Sequence, residues 1–236
     1  MRRLLLLALV VSGCASAGGG GNNPQQDGNP GTDGSDPGDG GPDIDAPPLI
    51  DAAVSVTLTQ TTSSTNTASN SVTCPNGENS WYRVFSLADH GITGPFFINQ
   101  VTFGAQEAGG SPVLQIKVGT YTGALGGTTI DLSKVTNLNS ATMTIPNTND
   151  PGNNVVVPIT ATAPAGSNVI VEIFNPSNTS TKFFFIGASN AGETKPGYVR
   201  GPSCNDSGGT PITTPRSTAS IGFPASNLNI NLTGTH

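Results

Sequence analysis

Leu114-Gln115-Ile116-Lys117-Val118-Gly119 alternates apolar residues with polar or small ones at a period of two. A backbone that turns successive side chains to opposite faces is a β-strand, and this one has a face to bury. The same period recurs on both sides of it. Val54, Val56 and Leu58 alternate with Ser55, Thr57 and Thr59, and Val169, Val171 and Ile173 with Ile170, Glu172 and Phe174. Leu228, Ile230 and Leu232 alternate with asparagines. Residues 82–87, 96–103, 141–145, 155–160, 182–187 and 218–223 read as further strands, punctuated by Gly109-Gly110, Asp150-Pro151-Gly152 and Pro164-Ala165-Gly166. Only residues 131–138 show helical spacing, for two turns at most. About ten short strands predict an all-β domain over residues 54–236, an antiparallel two-sheet sandwich or jelly roll. No internal repeat points to a propeller or solenoid.

Composition divides the 236 residues into unlike parts. Residues 15–51 hold 10 Gly, 6 Pro and 7 Asp with no Lys or Arg, whereas residues 52–236 carry 7 basic and 8 acidic side chains. The net charge of −6 therefore belongs mostly to the front segment. Seven dispersed cations cannot build a phosphate-neutralising surface, so no nucleic-acid partner is expected. Two His and three Cys argue against a zinc enzyme, and no metal or cofactor is expected.

Met1-Arg2-Arg3 followed by an apolar run at residues 4–11 has the form of a signal peptide, too short to span a bilayer. Val11-Ser12-Gly13-Cys14 resembles the bacterial lipobox. That resemblance implies cleavage after residue 13 and a diacylglyceryl group on Cys14, so that the membrane becomes a partner through the lipid. Ala15, rather than Asp, after the cysteine implies by the same analogy delivery to the outer membrane or cell surface. An ordinary secretory signal cleaved at Ala15-Ser16-Ala17 stays open as the alternative.

Residues 14–53, rich in Gly, Pro and Asp, lack any apolar period. They predict a disordered tether, because such a chain buries too little surface to offset the entropy of ordering it. A flexible coil of that length spans roughly 35 Å. Asp27, Asp33, Asp36, Asp39, Asp43 and Asp45 lack the spacing and closing Glu of a calcium loop.

With Cys14 lipidated, Cys74 and Cys204 remain as an even pair in an exported chain, and a disulfide between them is expected. Two separate buried thiols are the alternative.

Catalytic groups are scarce. There is no Gly-x-Ser-x-Gly elbow, and the one interior histidine, His90, follows Asp89 in a segment that reads as a turn. A carboxylate pair for acid–base work could come from Asp89, Glu107, Asp131, Asp150, Glu172, Glu193 and Asp206, most of them in turns or on polar strand faces. The domain is accordingly read as a non-enzyme. Trp81, Tyr82, Tyr121 and Tyr198 are the large amphipathic aromatics, fit either to stack on a sugar face or to pack the core and its rim. Residues 147–153 read as an Asx-capped turn, where a calcium ion is an open question.

A second resemblance covers residues 71–234. Ser80-Trp81-Tyr82-Arg83-Val84-Phe85, Phe103-Gly104, Phe184-Phe185-Ile186-Gly187-Ala188-Ser189-Asn190 and Ser220-Ile221-Gly222-Phe223-Pro224 resemble blocks of a secreted bacterial β-sandwich module of unknown role. It implies export and fold, and carries no functional residues across. Two readings of function follow. One is a tethered, non-catalytic surface or periplasmic module binding glycan or protein. The other is a hydrolase of unfamiliar type built on Asp89, His90 or the scattered carboxylates.

Overall fold

The computed structural model describes residues 53–236. The expected signal peptide, Cys14 and the tether up to residue 52 lie outside the described residues. Thirteen strands make up the described part: β1 (Ser55–Leu58), β2 (Gly77–Ser86), β3 (Phe96–Gly109), β4 (Val113–Tyr121), β5 (Val135–Thr144), β6 (Asn153–Ala163), β7 (Asn168–Asn178), β8 (Phe183–Ile186), β9 (Ala188–Ser189), β10 (Tyr198–Asn205), β11 (Pro211–Ser217), β12 (Asn227–Leu228) and β13 (Ile230–Thr235). One sheet runs β11-β10-β2-β7-β4-β5; the other runs β1-β13-β3-β6, with β8 also pairing β3, and β12 pairs β9. Every pairing between these strands is antiparallel. The protein is an all-β two-sheet sandwich.

The period of two does what it predicts. From the six-stranded sheet, Trp81, Phe85, Ile116, Val118, Val171 and Ile173 face inward. They share one core with Ile98, Val101, Phe103, Phe184, Ile230 and Leu232 of the opposing sheet. Phe184 sits edge-on between the layers, 5.5 Å from Trp81 and 6.0 Å from Phe103 by ring centroids. Side chains stand in for a neighbour along the outer edge of β8. The Asn178 carboxamide accepts from the Phe184 N–H and donates to the Phe184 carbonyl, at 2.9 and 3.2 Å. Those backbone groups would otherwise be buried without partners.

Two expected elements are corrected. Residues 218–223 form no strand but a 3-10 turn, Ala219–Ile221, ended by Gly222 at φ 104. A left-handed residue there reverses the chain, which Gly alone does without strain. Residues 131–138 are not helical beyond a single 3-10 turn, Leu132–Lys134, whose Ser133 N–H is capped by the Asp131 carboxylate at 3.0 Å. Val135 and Thr136, both β-branched, then open β5 against Tyr121 and Thr120. Strands β10 and β11 carried no clean alternation. Pro202, Pro211 and Pro215 interrupt them, and register shifts on either side of Gly201 break the period.

Cys74 and Cys204 are joined in a disulfide, with Cα atoms 5.8 Å apart and a sequence separation of 130. The Cys74 end is held firmly. Its N–H donates to Asn79 Oδ1 at 2.8 Å, and its carbonyl accepts from Asn79 and Asn178 at 3.1 and 2.9 Å. In the expected turn at residues 147–153, Asn147 Oδ1 accepts from the Ser111 N–H and the Asp150 carboxylate from Ser69.

Candidate functional site

The four aromatics singled out from the sequence divide between two faces. Trp81 is fully buried and donates its indole N–H to the Val72 carbonyl at 2.7 Å, so no face of it is open to a ligand. Tyr82, Tyr121 and Tyr198 come together on the outer face of the six-stranded sheet with Val84, Ile130 and Ile170. Leu125 and Val135 pack over them, leaving each tyrosine at most 4% exposed. As a stacking platform this group is corrected to a second packed layer. It is made because the long β4–β5 connection folds back over the sheet. The Tyr198 hydroxyl donates to the Gly127 carbonyl at 3.0 Å, and the Tyr121 hydroxyl accepts from the Asp131 N–H at 3.4 Å. Burial, with Tyr121 and Glu193 adding to it, pushes the Tyr198 phenol up to about 12. Burial and the adjoining Glu172 carboxylate raise Tyr82 further still.

Beyond that cover the sheet face is open and polar. Strand register aligns Tyr82, Glu172 and Lys117 across β2, β7 and β4. Glu172 accepts from the Tyr82 hydroxyl at 2.9 Å and from Lys117 Nζ at 3.0 Å, and the same ammonium lies 5.1 Å from the centre of the Phe174 ring. A recess of about 80 Å³ opens beside the row, lined by Tyr82, Ile170, Leu132 and Val135 together with Glu172 and Lys117.

A larger cavity, about 270 Å³, opens beside the disulfide. Val72, Val199, Ile212 and Ile221 give it apolar walls, while Ser71, Thr73 and Asn205 add hydroxyl and amide groups. No residue lining it is charged. Phe223 also lines it and is 48% exposed, an aromatic ring half open to solvent. The sequence held no sign of this. Phe223 reads as the end of an expected strand until Gly222 turns the chain. Strands β10 and β11, which supply Val199 and Ile212, were themselves missed.

Asp89 and His90 sit in the 3-10 turn Ala88–His90, closed by Gly91 at φ 72. Partial burial lowers the imidazole pKa, against the opposing pull of Asp89. Asp89 itself lies 3.5 Å from Lys195 Nζ, and its N–H takes the Ser86 hydroxyl as acceptor. Among the described residues no hydroxyl or thiol is hydrogen-bonded to the His90 ring. The other carboxylates serve mainly as local ties. Glu193 pairs with Arg83, Glu172 with Lys117 and Asp206 with Arg216, Asp131 caps a turn, and Asp150 holds Ser69.

No protein-family model matches the chain, and no curated protein does. Among solved structures it is similar to the cysteine protease and lectin-like domains of Cwp84, a surface layer associated protein of Clostridium difficile. The match has 15% identity and a TM-score of 0.44 over 67% of this chain. The chain spans 32% of the length of that structure.

Proposed function

We propose that this chain is an exported, lipid-anchored binding module whose folded domain holds a neutral glycan in the cavity beside the disulfide. The observation that carries the reading is Phe223, a half-exposed ring on an uncharged cavity that also presents hydroxyls and an amide. A sugar offers an apolar C–H face to such a ring and hydroxyls that donate and accept. Pockets that bind small ligands combine mostly apolar walls with a few placed polar groups in this way. A protein partner is the weaker fit. A stable protein interface buries about 1,600 Å². The exposed large apolar side chains of the described residues are six, Val54, Phe97, Val113, Leu132, Val156 and Phe223, and they are few for an interface of that area.

Anchoring belongs to the same proposal. Residues 1–13 are the signal peptide, Cys14 carries the lipid, and the Gly/Pro/Asp-rich segment that follows lets the domain search the space outside an outer membrane or cell surface. A disulfide fits the oxidising compartments such export leads to. The Cys14→Ser protein is expected to leave the membrane fraction and to take up no labelled acyl chain. Membrane association equal to the parent's contradicts the anchor.

Phe223→Ala is expected to weaken glycan binding by roughly tenfold to a hundredfold, the value of burying one phenyl ring. Stability should change by no more than about 0.5 kcal/mol, since the ring is half in solvent. Titration of parent and variant with a glycan selected on an array measures both. Unchanged affinity removes the cavity from the function.

A further inference from the structure

The disulfide stands in the wall of an open cavity. Cys74 and Cys204 both line the space of about 270 Å³ beside Phe223, so a thiol that enters the cavity meets the bond. The two cysteines are not equally placed. Cys74 is buried and its sulfur packs on backbone, since a Cβ on Gly201 would lie 2.5 Å from Cys74 Sγ. Cys204 is only partly buried, at the margin of the core, and is the end open to attack.

The two ends also differ in what else holds them. Asn79 and Asn178 fix Cys74 through its backbone groups. Strand β10, by contrast, leaves β2 after the pair Arg200–Ser80 and continues against β11 alone. Asp206 then ties this hairpin to itself. Its carboxylate accepts from the Gly208 and Thr210 N–H groups at 2.9 and 2.8 Å and pairs with Arg216. The hairpin tip also touches the turn that carries Phe223, because a Cβ on Gly222 would lie 3.2 Å from Ser207 Cβ. Movement of the hairpin therefore displaces Asn205 in one cavity wall and reaches Phe223 in another.

We propose that the Cys74–Cys204 disulfide is a reducible latch on the cavity, which a dithiol reductant opens to turn ligand binding off while the sandwich stays folded. The proposal rests on the reading of this cavity as the ligand site. One thiolate of the reductant attacks Cys204 Sγ, the S–S bond breaks, and Cys74 leaves as a thiolate that takes up a proton. The second thiolate of the reductant displaces Cys204 from the mixed disulfide, and Cys204 is protonated in turn. The bond gains two electrons and two protons, and the dithiol becomes a disulfide. Exposed disulfides are the ones that such exchange reaches.

The full-length Cys14→Ser protein has no other cysteine, and its treatment with dithiothreitol in native buffer provides the test. Alkylation and mass spectrometry count the thiols released. The rate is expected to rise in proportion to dithiothreitol and to change little in dilute urea, as for attack on the folded state. A rate that levels off with dithiothreitol and climbs steeply with urea reports global unfolding and overturns the latch. In the reduced protein, amides of residues 201–212 are expected to lose protection from hydrogen exchange while those of β3, β4 and β7 remain protected. Protection kept in the hairpin, or lost throughout, overturns the latch as well. On an array of neutral glycans the reduced protein is expected to give signals at least about tenfold weaker than the oxidised one, restored by oxidised glutathione. Equal signals overturn the latch and leave the glycan reading standing. Silence of the oxidised protein rejects the glycan reading and, with it, the latch as a control of binding.

Discussion

Replacing Cys74 and Cys204 together by alanine is expected to lower the stability of the folded domain by about 4 to 5 kcal/mol. The pair is separated by 130 residues, so the cross-link removes a large loop-closure entropy from the unfolded chain. It also ties the irregular end of β10, where register with β11 shifts on both sides of Gly201, to the fixed loop at Cys74. For a domain of this size the corresponding fall in melting temperature is roughly 10–15 °C. Thermal and urea unfolding of the unreduced parent and the double variant give the number. A shift below about 3 °C contradicts the account of the disulfide as the main staple of this edge. The cavity shares its lining with both cysteines, so the variant should also lose ligand affinity beyond its loss of stability.

Arg83→Ala is the second large effect, expected at roughly 3–5 kcal/mol. The Arg83 side chain is fully buried on the inner face of β2, with Trp81 and Phe85 two residues to either side. It donates to the Leu228 carbonyl at 2.9 Å, the Lys195 carbonyl at 2.7 Å, Gln60 Oε1 at 3.3 Å and Glu193 Oε2 at 2.7 Å. Burial pulls the guanidinium pKa down and Glu193 opposes it, so the charge is held by its partners. Alanine leaves those acceptors without their donor, on top of a cavity. Arg83→Met combined with Glu193→Gln fills the volume and removes both charges, and should cost less than half as much. Urea midpoints at unchanged slope read both variants. Equal losses in the two would assign the effect to the hydrogen bonds that both variants lose, and not to the cavity or the unpaired charge.

How far the sequence could be read follows from what each feature depends on. Alternation at Leu114, Ile116 and Val118, at Val169, Val171 and Ile173, and at Leu228, Ile230 and Leu232 is a local signal of strand. It marks the buried face directly, so the sandwich was legible. The pairing of Cys74 with Cys204 followed from their number and from the export expected of residues 1–14. Arg83 was not legible as a buried residue. In sequence it is one charge in an amphipathic run, and its partners come from β12 and from residues 60 and 193–195. The candidate sites were the least visible. Lys117, Glu172 and Tyr82 meet only through strand register, which no single strand encodes. Phe223 reaches solvent only because Gly222 turns left-handed. Tyr121 and Tyr198 could be read as stacking rings or as packing, and the β4–β5 connection covers them.

Glycan binding by the domain is the central claim, and a broad array of neutral and acetamido glycans probed with the full-length Cys14→Ser protein tests it most directly. The account predicts a defined set of bound glycans whose signal falls by at least about tenfold in the Phe223→Ala protein. Silence across the array, or binding that Phe223→Ala leaves unchanged beside turnover on hydrolase substrates that His90→Ala abolishes, would contradict it.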